Sequence, residues 1–308
     1  MKNLKNLHSL SSQLDGWFSG LVRNSRVESF NLPCNVSNHN LFVKRDDLIH
    51  PEISGNKLRK LKWNLLKALD ENCDAILTFG GAFSNHLLAT AAAGQELGIK
   101  VIGHVRGEEL NETSNHVLAR CAALGMELNF LSRSDFSNAK KESGIVYMGE
   151  HKIWVIPEGG ANQEGIIGCA EIVHELEETF DFYLLAQGTT TTSLGLLRSI
   201  PDHSKLIVVP VLKGFDVLTE MRCLFNNDEQ FHLLRDKLII WDAYHHGGYA
   251  KVSEGLMKFI DDFYGINHFQ IEPVYTGKVL FALNENLPDF FEGEGKSILF
   301  LHTGGVFH

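Results

Sequence analysis

The sequence predicts an α/β protein with parallel sheets and helices on both sheet faces. Three observations lead there. Short apolar runs such as AILTFGG, DFYLLAQG and KLIVVPVL have the composition of buried strands. Between them lie segments with helical spacing, as in Leu58, Leu61, Leu65, Leu66 and Leu69. Glycine and small polar residues mark the switch from one to the other, the rhythm of repeated strand–helix units.

Each element follows in order. LFVKRDD (41–47) reads as a strand ending in a charged loop, and 57–73 as a helix. A strand at 75–81 stops on two glycines, and Ser84 opens a helix that Gly98 closes. Strand 100–105, helix 115–125 and strand 126–131 come next, then a polar stretch at 132–142. Strand 152–160, helix 165–178, strand 181–188, helix 193–200 and strand 205–212 continue the alternation. Helix 252–265 and strand 297–305 complete it. There is no internal repeat and no low-complexity linker, so a second domain must be inserted within the alternation. The expected division is 1–56 with 153–308 as a large domain and 57–152 as a small one. Ligands in such folds bind beyond the carboxyl ends of strands, which directs attention to the loops after Phe79, Ile156, Gln187 and His302.

The bulk chemistry excludes several classes. A net charge of −10 argues against nucleic acid as a partner. Five scattered cysteines without a Cys-x-x-Cys pair suit reduced thiols in a cytoplasmic protein. No run approaches a membrane span, the N-terminus lacks the apolar core of a secretory signal, and no metal-ligand spacing occurs.

Four segments present chemistry. SGNKLRKL puts Lys57 directly behind a Gly-Asn turn at a helix start, where the macrodipole disfavours a cation and favours a neutral, nucleophilic amine. Lys57, Arg59, Lys60 and Lys62 also fit a solvated basic helix face, and charge pattern alone favours that reading. GGAFSNH sets Ser84, Asn85 and His86 at a helix N-terminus, which suits a carboxylate or a simple cap. QGTTTTSLG offers hydroxyls and N–H groups to a phosphate, without a Walker or dinucleotide-binding pattern. PVYTGK and HHGGYAK each bring a loop tyrosine, Tyr275 and Tyr249, for proton transfer or for packing. Together, an imine-forming lysine, a carboxylate turn and a phosphate cradle describe pyridoxal 5'-phosphate carrying an amino acid.

With VKRDDL, PEGG and ILFLHTGG added, these motifs resemble the pyridoxal-phosphate-dependent D-cysteine desulfhydrase and 1-aminocyclopropane-1-carboxylate deaminase family, in order from about Leu41 to Gly305. The resemblance implies a tryptophan-synthase-β-like fold (fold type II), two domains with the cofactor in a cleft between them, and a homodimer. It implies that Lys57 forms the Schiff base with Asn56 beside it. Ser84, Asn85 and His86 would bind the substrate carboxylate, with Asn85 also on the cofactor. Gly188, Thr189, Thr190, Thr191 and Thr192 would hold the phosphate. Tyr275 and Tyr249 would be the active-site tyrosines, with Thr276 facing the pyridine nitrogen. Three departures from the family pattern stand out. Thr190 and Thr191 replace glycines in the phosphate loop, so different dihedrals are expected there. The given sequence stops three residues after Gly305, which is expected to alter the cleft wall or an oligomer contact. Thr276 stands where the ring-opening deaminases carry a glutamate. A neutral hydroxyl cannot keep the pyridine nitrogen protonated. The expected reaction is therefore β-elimination, from D-cysteine to pyruvate, ammonia and sulfide. The alternatives are deamination of the cyclopropane amino acid and a non-catalytic cofactor-binding protein.

Overall fold

The structure, a computed structural model, describes residues 4–34, 38–225, 228–291, 293 and 295–305. Val306, Phe307 and His308, on which the expectation about the C-terminus rests, lie outside them. Among the described residues there are eleven strands. They are β1 (Val27–Ser29), β2 (Asn40–Lys44), β3 (Ala75–Gly80), β4 (Val101–Arg106), β5 (Glu127–Leu131), β6 (Gly144–Met148), β7 (His151–Ile156), β8 (Phe182–Gln187), β9 (Lys205–Pro210), β10 (Leu238–Ile240) and β11 (Ser297–Leu301).

The chain forms two compact units, Met1–Arg23 with His50–Gly168 and Asn24–Ile49 with Cys169–His308. These boundaries differ from the expected ones because strand pairing, not chain order, assigns the segments. β7 pairs with β3, which keeps 151–156 in the first unit. β2 pairs with β11, which places the 24–49 segment in the second. The N-terminal helix Leu4–Val22 joins the first unit, where the Trp17 indole donates to Glu96 at 2.7 Å.

In the first unit the sheet order is β5-β4-β3-β7-β6, parallel except that β6 runs antiparallel to β7. Ala75, Leu77 and Phe79 of β3 share one face with Ile153 and Val155 of β7 and with Ile102 and Phe136. Thr78 therefore points to the other face. The helix Asn85–Leu97 begins with Ser84 as N-cap, its Oγ accepting from the Leu87 N–H at 3.2 Å, and ends at Gly98.

In the second unit the order is β1-β2-β11-β8-β9-β10, parallel except that β1 runs antiparallel to β2. Val43, Leu184, Ala186, Ile207, Val209 and Phe300 face Phe259 and Phe263 of the helix Glu254–Asn267 and Val279, Leu280 and Leu283 of the helix Thr276–Asn286. The α/β class holds, and each sheet has one antiparallel edge that the alternation rule did not anticipate. Among the described residues no helix is long and apolar enough to cross a membrane.

Candidate active site

In the first unit, Lys57 is the second residue of the helix Asn56–Asp70. Gly55 before it has φ 63° and ψ −141°, a conformation essentially reserved for glycine. The turn thus fixes where the Lys57 stem emerges. Lys57 is half-buried, and its Nζ donates to the Asn56 Oδ1 at 2.7 Å. The solvated-face reading fails for its neighbours, since Arg59 and Lys60 are each only 2 % exposed. Lys60 Nζ donates to the Gly159 carbonyl at 3.2 Å, tying this helix to the PEGG turn after β7.

The Ser84–His86 turn follows β3. Ser84 and Asn85 are half-buried, whereas the His86 ring is buried. Thr78 Oγ1 lies 2.9 Å from His86 Nε2 and donates to the Ile156 carbonyl at 2.9 Å. A carbonyl only accepts, so the single hydroxyl proton of Thr78 is committed there, and Thr78 accepts from His86. His86 is thereby the neutral Nε2–H tautomer, and its Nδ1 is a buried lone pair without a hydrogen-bond partner. Burial, reinforced by Lys57 and Lys60, pushes its pKa down to about 3. The His86 ring therefore has neither a charge nor a free N–H to offer a carboxylate. What His86 can present to an anion is its main-chain N–H in the first turn, alongside the Ser84 hydroxyl and the Asn85 amide.

In the second unit, β8 ends at Gln187 and the helix Thr191–Ser199 begins four residues later. Thr190, Thr191 and Thr192 are buried, and Gly188 and Thr189 are half-buried. Thr190 sits at φ −79° and ψ −6°, so the turn uses right-handed dihedrals that β-branched residues accept. Gly188 is fixed by contact, because a Cβ there would come within 2.9 Å of the Tyr275 ring.

Tyr275 is the N-cap residue of the helix Thr276–Asn286, a helix that the sequence pattern presents as a turn. Its ring meets Tyr249 edge-on, with centroids 6.1 Å apart. Burial, with Tyr249 adding to it, raises the Tyr275 pKa far above its usual range, so the phenol stays protonated and offers an O–H as hydrogen-bond donor. Thr276 is fully buried. Its hydroxyl accepts from the Glu272 N–H at 2.9 Å and donates towards the Glu272 carboxylate at 3.1 Å. That carboxylate also accepts from the main-chain N–H groups of Val274, Tyr275 and Thr276 at 2.6, 2.8 and 2.7 Å. Glu272 is thus the helix cap.

Thr78, Glu272 and Lys278 are functional neighbours that sequence reasoning missed. Glu272 and Lys278 flank the PVYTGK motif or close it, and a carboxylate four residues ahead of Thr276 was the legible signal for a capped helix start.

Each unit, taken by itself, carries donors of a kind that suits pyridoxal phosphate. Lys57 supplies a primary amine on a fixed turn. In the second unit the Gly188–Thr192 turn supplies threonine hydroxyls and the N–H groups of a helix start, chemistry that suits a phosphate.

Comparison with known proteins agrees. Residues 22–304 match the family described as pyridoxal-phosphate dependent enzyme. A protein of Thermotoga maritima, provisionally named 1-aminocyclopropane-1-carboxylate deaminase, is 31% identical over 285 residues, covering 87% of this chain and 89% of its own. The bifunctional D-cysteine desulfhydrase/1-aminocyclopropane-1-carboxylate deaminase of Arabidopsis thaliana is 28% identical over 319 residues, 91% of this chain and 76% of its own. The crystal structure of an ACC deaminase homologue superposes with a TM-score of 0.71 at 25% identity, covering 94% of each chain. The chain belongs to the pyridoxal-phosphate-dependent enzymes of fold type II, on the branch that holds the D-cysteine desulfhydrase and 1-aminocyclopropane-1-carboxylate deaminase relatives.

Proposed function

We propose that this enzyme eliminates the β-substituent of a small amino acid, with D-cysteine and water going to pyruvate, ammonia and sulfide. The observation that carries the choice is Thr276. Its side chain is a neutral hydroxyl, and the adjoining Glu272 carboxylate is committed to three main-chain N–H groups. No acid at position 276 can hold a pyridine nitrogen protonated, which favours a substrate with a good leaving group over opening of a carbon ring.

Pyridoxal phosphate, when bound, supplies an electron sink for the charge left on the substrate α-carbon. The protein's part is as follows. Lys57 Nζ anchors the cofactor and, once released, takes the proton from the α-carbon. Ser84 Oγ, the Asn85 amide and the main-chain N–H of His86 hold the substrate carboxylate. Gly188, Thr189, Thr190, Thr191 and Thr192 would hold the phosphate, and Asn56 and Asn85 would contact the cofactor. Tyr275 Oη delivers a proton to the departing sulfur, with Tyr249 orienting it.

The test is the visible absorbance of the protein with added cofactor, before and after D-cysteine, beside a pyruvate assay. The wild type is expected to show a band that shifts as pyruvate accumulates, faster with D-cysteine than with 1-aminocyclopropane-1-carboxylate. Lys57→Ala is expected to lose both the band and at least about 1000-fold in turnover. A band and turnover retained in Lys57→Ala would sink the assignment of Lys57. Faster turnover of the cyclopropane substrate would sink the choice of reaction.

A further inference from the structure

Tyr249 is carried by a loop that is expensive to hold. His246 and Ala250 have φ 50° and 54°, left-handed values that side chains resist, and Gly247 and Gly248 between them have φ 98° and 119°. The two glycines take such values freely, but His246 and Ala250 hold theirs at a cost that surrounding contacts must offset. Beside the loop's own hydrogen bonds and the contact of His246 with Ser253, it is held from the neighbouring helix by Lys278. Lys278 lies in the first turn of the helix Thr276–Asn286 and is fully buried. Its Nζ donates to the His245 carbonyl at 2.9 Å and to the Gly248 carbonyl at 2.8 Å. The Gly248 carbonyl belongs to the peptide that leads into Tyr249, so the clamp acts directly on the residue that carries the phenol.

The position is a costly one for a lysine. A cation in a helix's first turn opposes the macrodipole. Burial pulls the Lys278 pKa down, with only Glu272 pulling it back. Neither of its two hydrogen bonds goes to a carboxylate. A methionine would fill the space without the desolvation cost. The same helix carries Tyr275 at its N-cap, so one element holds one tyrosine and clamps the loop of the other.

We propose that Lys278 is a positioning residue for the reaction: its buried Nζ holds the His245–Ala250 loop in its left-handed conformation and so sets Tyr249 against Tyr275. This rests on the reading that the two tyrosines handle the proton of the leaving group.

The experiment is a double-mutant cycle on the cofactor-loaded enzyme, with Lys278→Met, Tyr249→Phe and the two combined, and amide hydrogen exchange followed across 245–251. Lys278→Met is expected to keep the absorbance of bound cofactor and to exchange the loop amides about ten-fold faster or more. Its kcat is expected to fall about as far as in Tyr249→Phe, with KM within about two-fold, and the double variant is expected to be no slower than Tyr249→Phe. Losses that multiply in the double variant, or loop exchange unchanged by Lys278→Met, would overturn the proposal. If Tyr249→Phe keeps wild-type kcat while Lys278→Met loosens the loop, the tyrosine reading fails and takes the positioning role with it, although the clamp itself stands. Should Lys278→Met fail to fold, Lys278→Gln, which keeps an N–H donor, decides by the same criteria, with exchange and kcat expected between wild type and Tyr249→Phe.

Discussion

His86 is the residue at which chemistry and stability meet. Its folded pKa of about 3 lies below the 6.5 of an exposed imidazole. Between those values the unfolded chain binds a proton that the folded ring refuses. Stability from this site is therefore complete above about pH 6.5 and declines on acidification, by up to about 1.4 kcal/mol per pH unit. Urea unfolding at pH 7 and pH 5 is expected to show a larger loss for the wild type than for His86→Gln, which has no proton to gain. Equal losses in the two proteins would mean that the ring is protonated in the fold. The sequence disclosed that Ser84, Asn85 and His86 share a helix start, but not which of them turns inward. That depended on Thr78, a residue of β3 whose hydroxyl is pinned by the neighbouring strand. Lys57 was legible because a Gly-Asn turn before a lysine is a local pattern. Burial of Arg59 and Lys60 was not, because it depends on what packs over the helix.

At the scale of elements, caps explain both what the sequence revealed and what it hid. Ser84 and Gly98 bracket their helix in plain view. Asn115 works in two directions. Its Oδ1 accepts from the N–H groups of Val117 and Leu118 at 2.9 and 3.0 Å, and its Nδ2 donates to the Ala82 carbonyl at 3.1 Å. It thus caps the helix His116–Ala123 and ties down the turn before Ser84. Asn115→Ala is expected to cost about 1–2 kcal/mol by urea unfolding, and Asn115→Asp, which keeps the cap and loses the tether, about half as much. Equal costs would show that the tether outweighs the cap. Of the helices that escaped detection, Leu4–Val22 is long, whereas Arg133–Ala139, Val217–Leu224 and Asp228–Arg235 span about two turns each, too few for a 3.6-residue period to declare itself. The helix Thr276–Asn286 was hidden differently. It opens on Thr-Gly and is buried along Thr276–Leu280, so no polar stripe marks its outer face, and its cap is a glutamate four residues upstream. Strand β6 was lost because an antiparallel edge strand does not obey the strand–helix alternation used to find the others.

For the whole molecule, two units with separate sheets and cores predict equilibrium unfolding in more than one step. The tryptophans make this measurable. Trp17, Trp63 and Trp154 belong to the unit of Met1–Arg23 and His50–Gly168, and Trp241 to the other. In Trp241→Phe, indole fluorescence reports one unit while far-UV circular dichroism reports both. The two probes are expected to give different urea midpoints in the absence of cofactor, and coincident curves would show a single cooperative block. One more property follows from the position of β11, which comes after the other ten described strands in sequence yet lies between β2 and β8. On the ribosome, the segment from His50 to Gly168 is finished with more than a third of the chain still unmade, and its sheet can close during synthesis. β2 emerges before all of that and waits for a partner made about 250 residues later. Throughout the interval it exposes an unpaired strand edge, the kind of surface that chaperones shield and that sticks to other nascent chains. Protection of that one early strand edge until β11 has been made is thus expected to weigh on the yield of this enzyme in a cell.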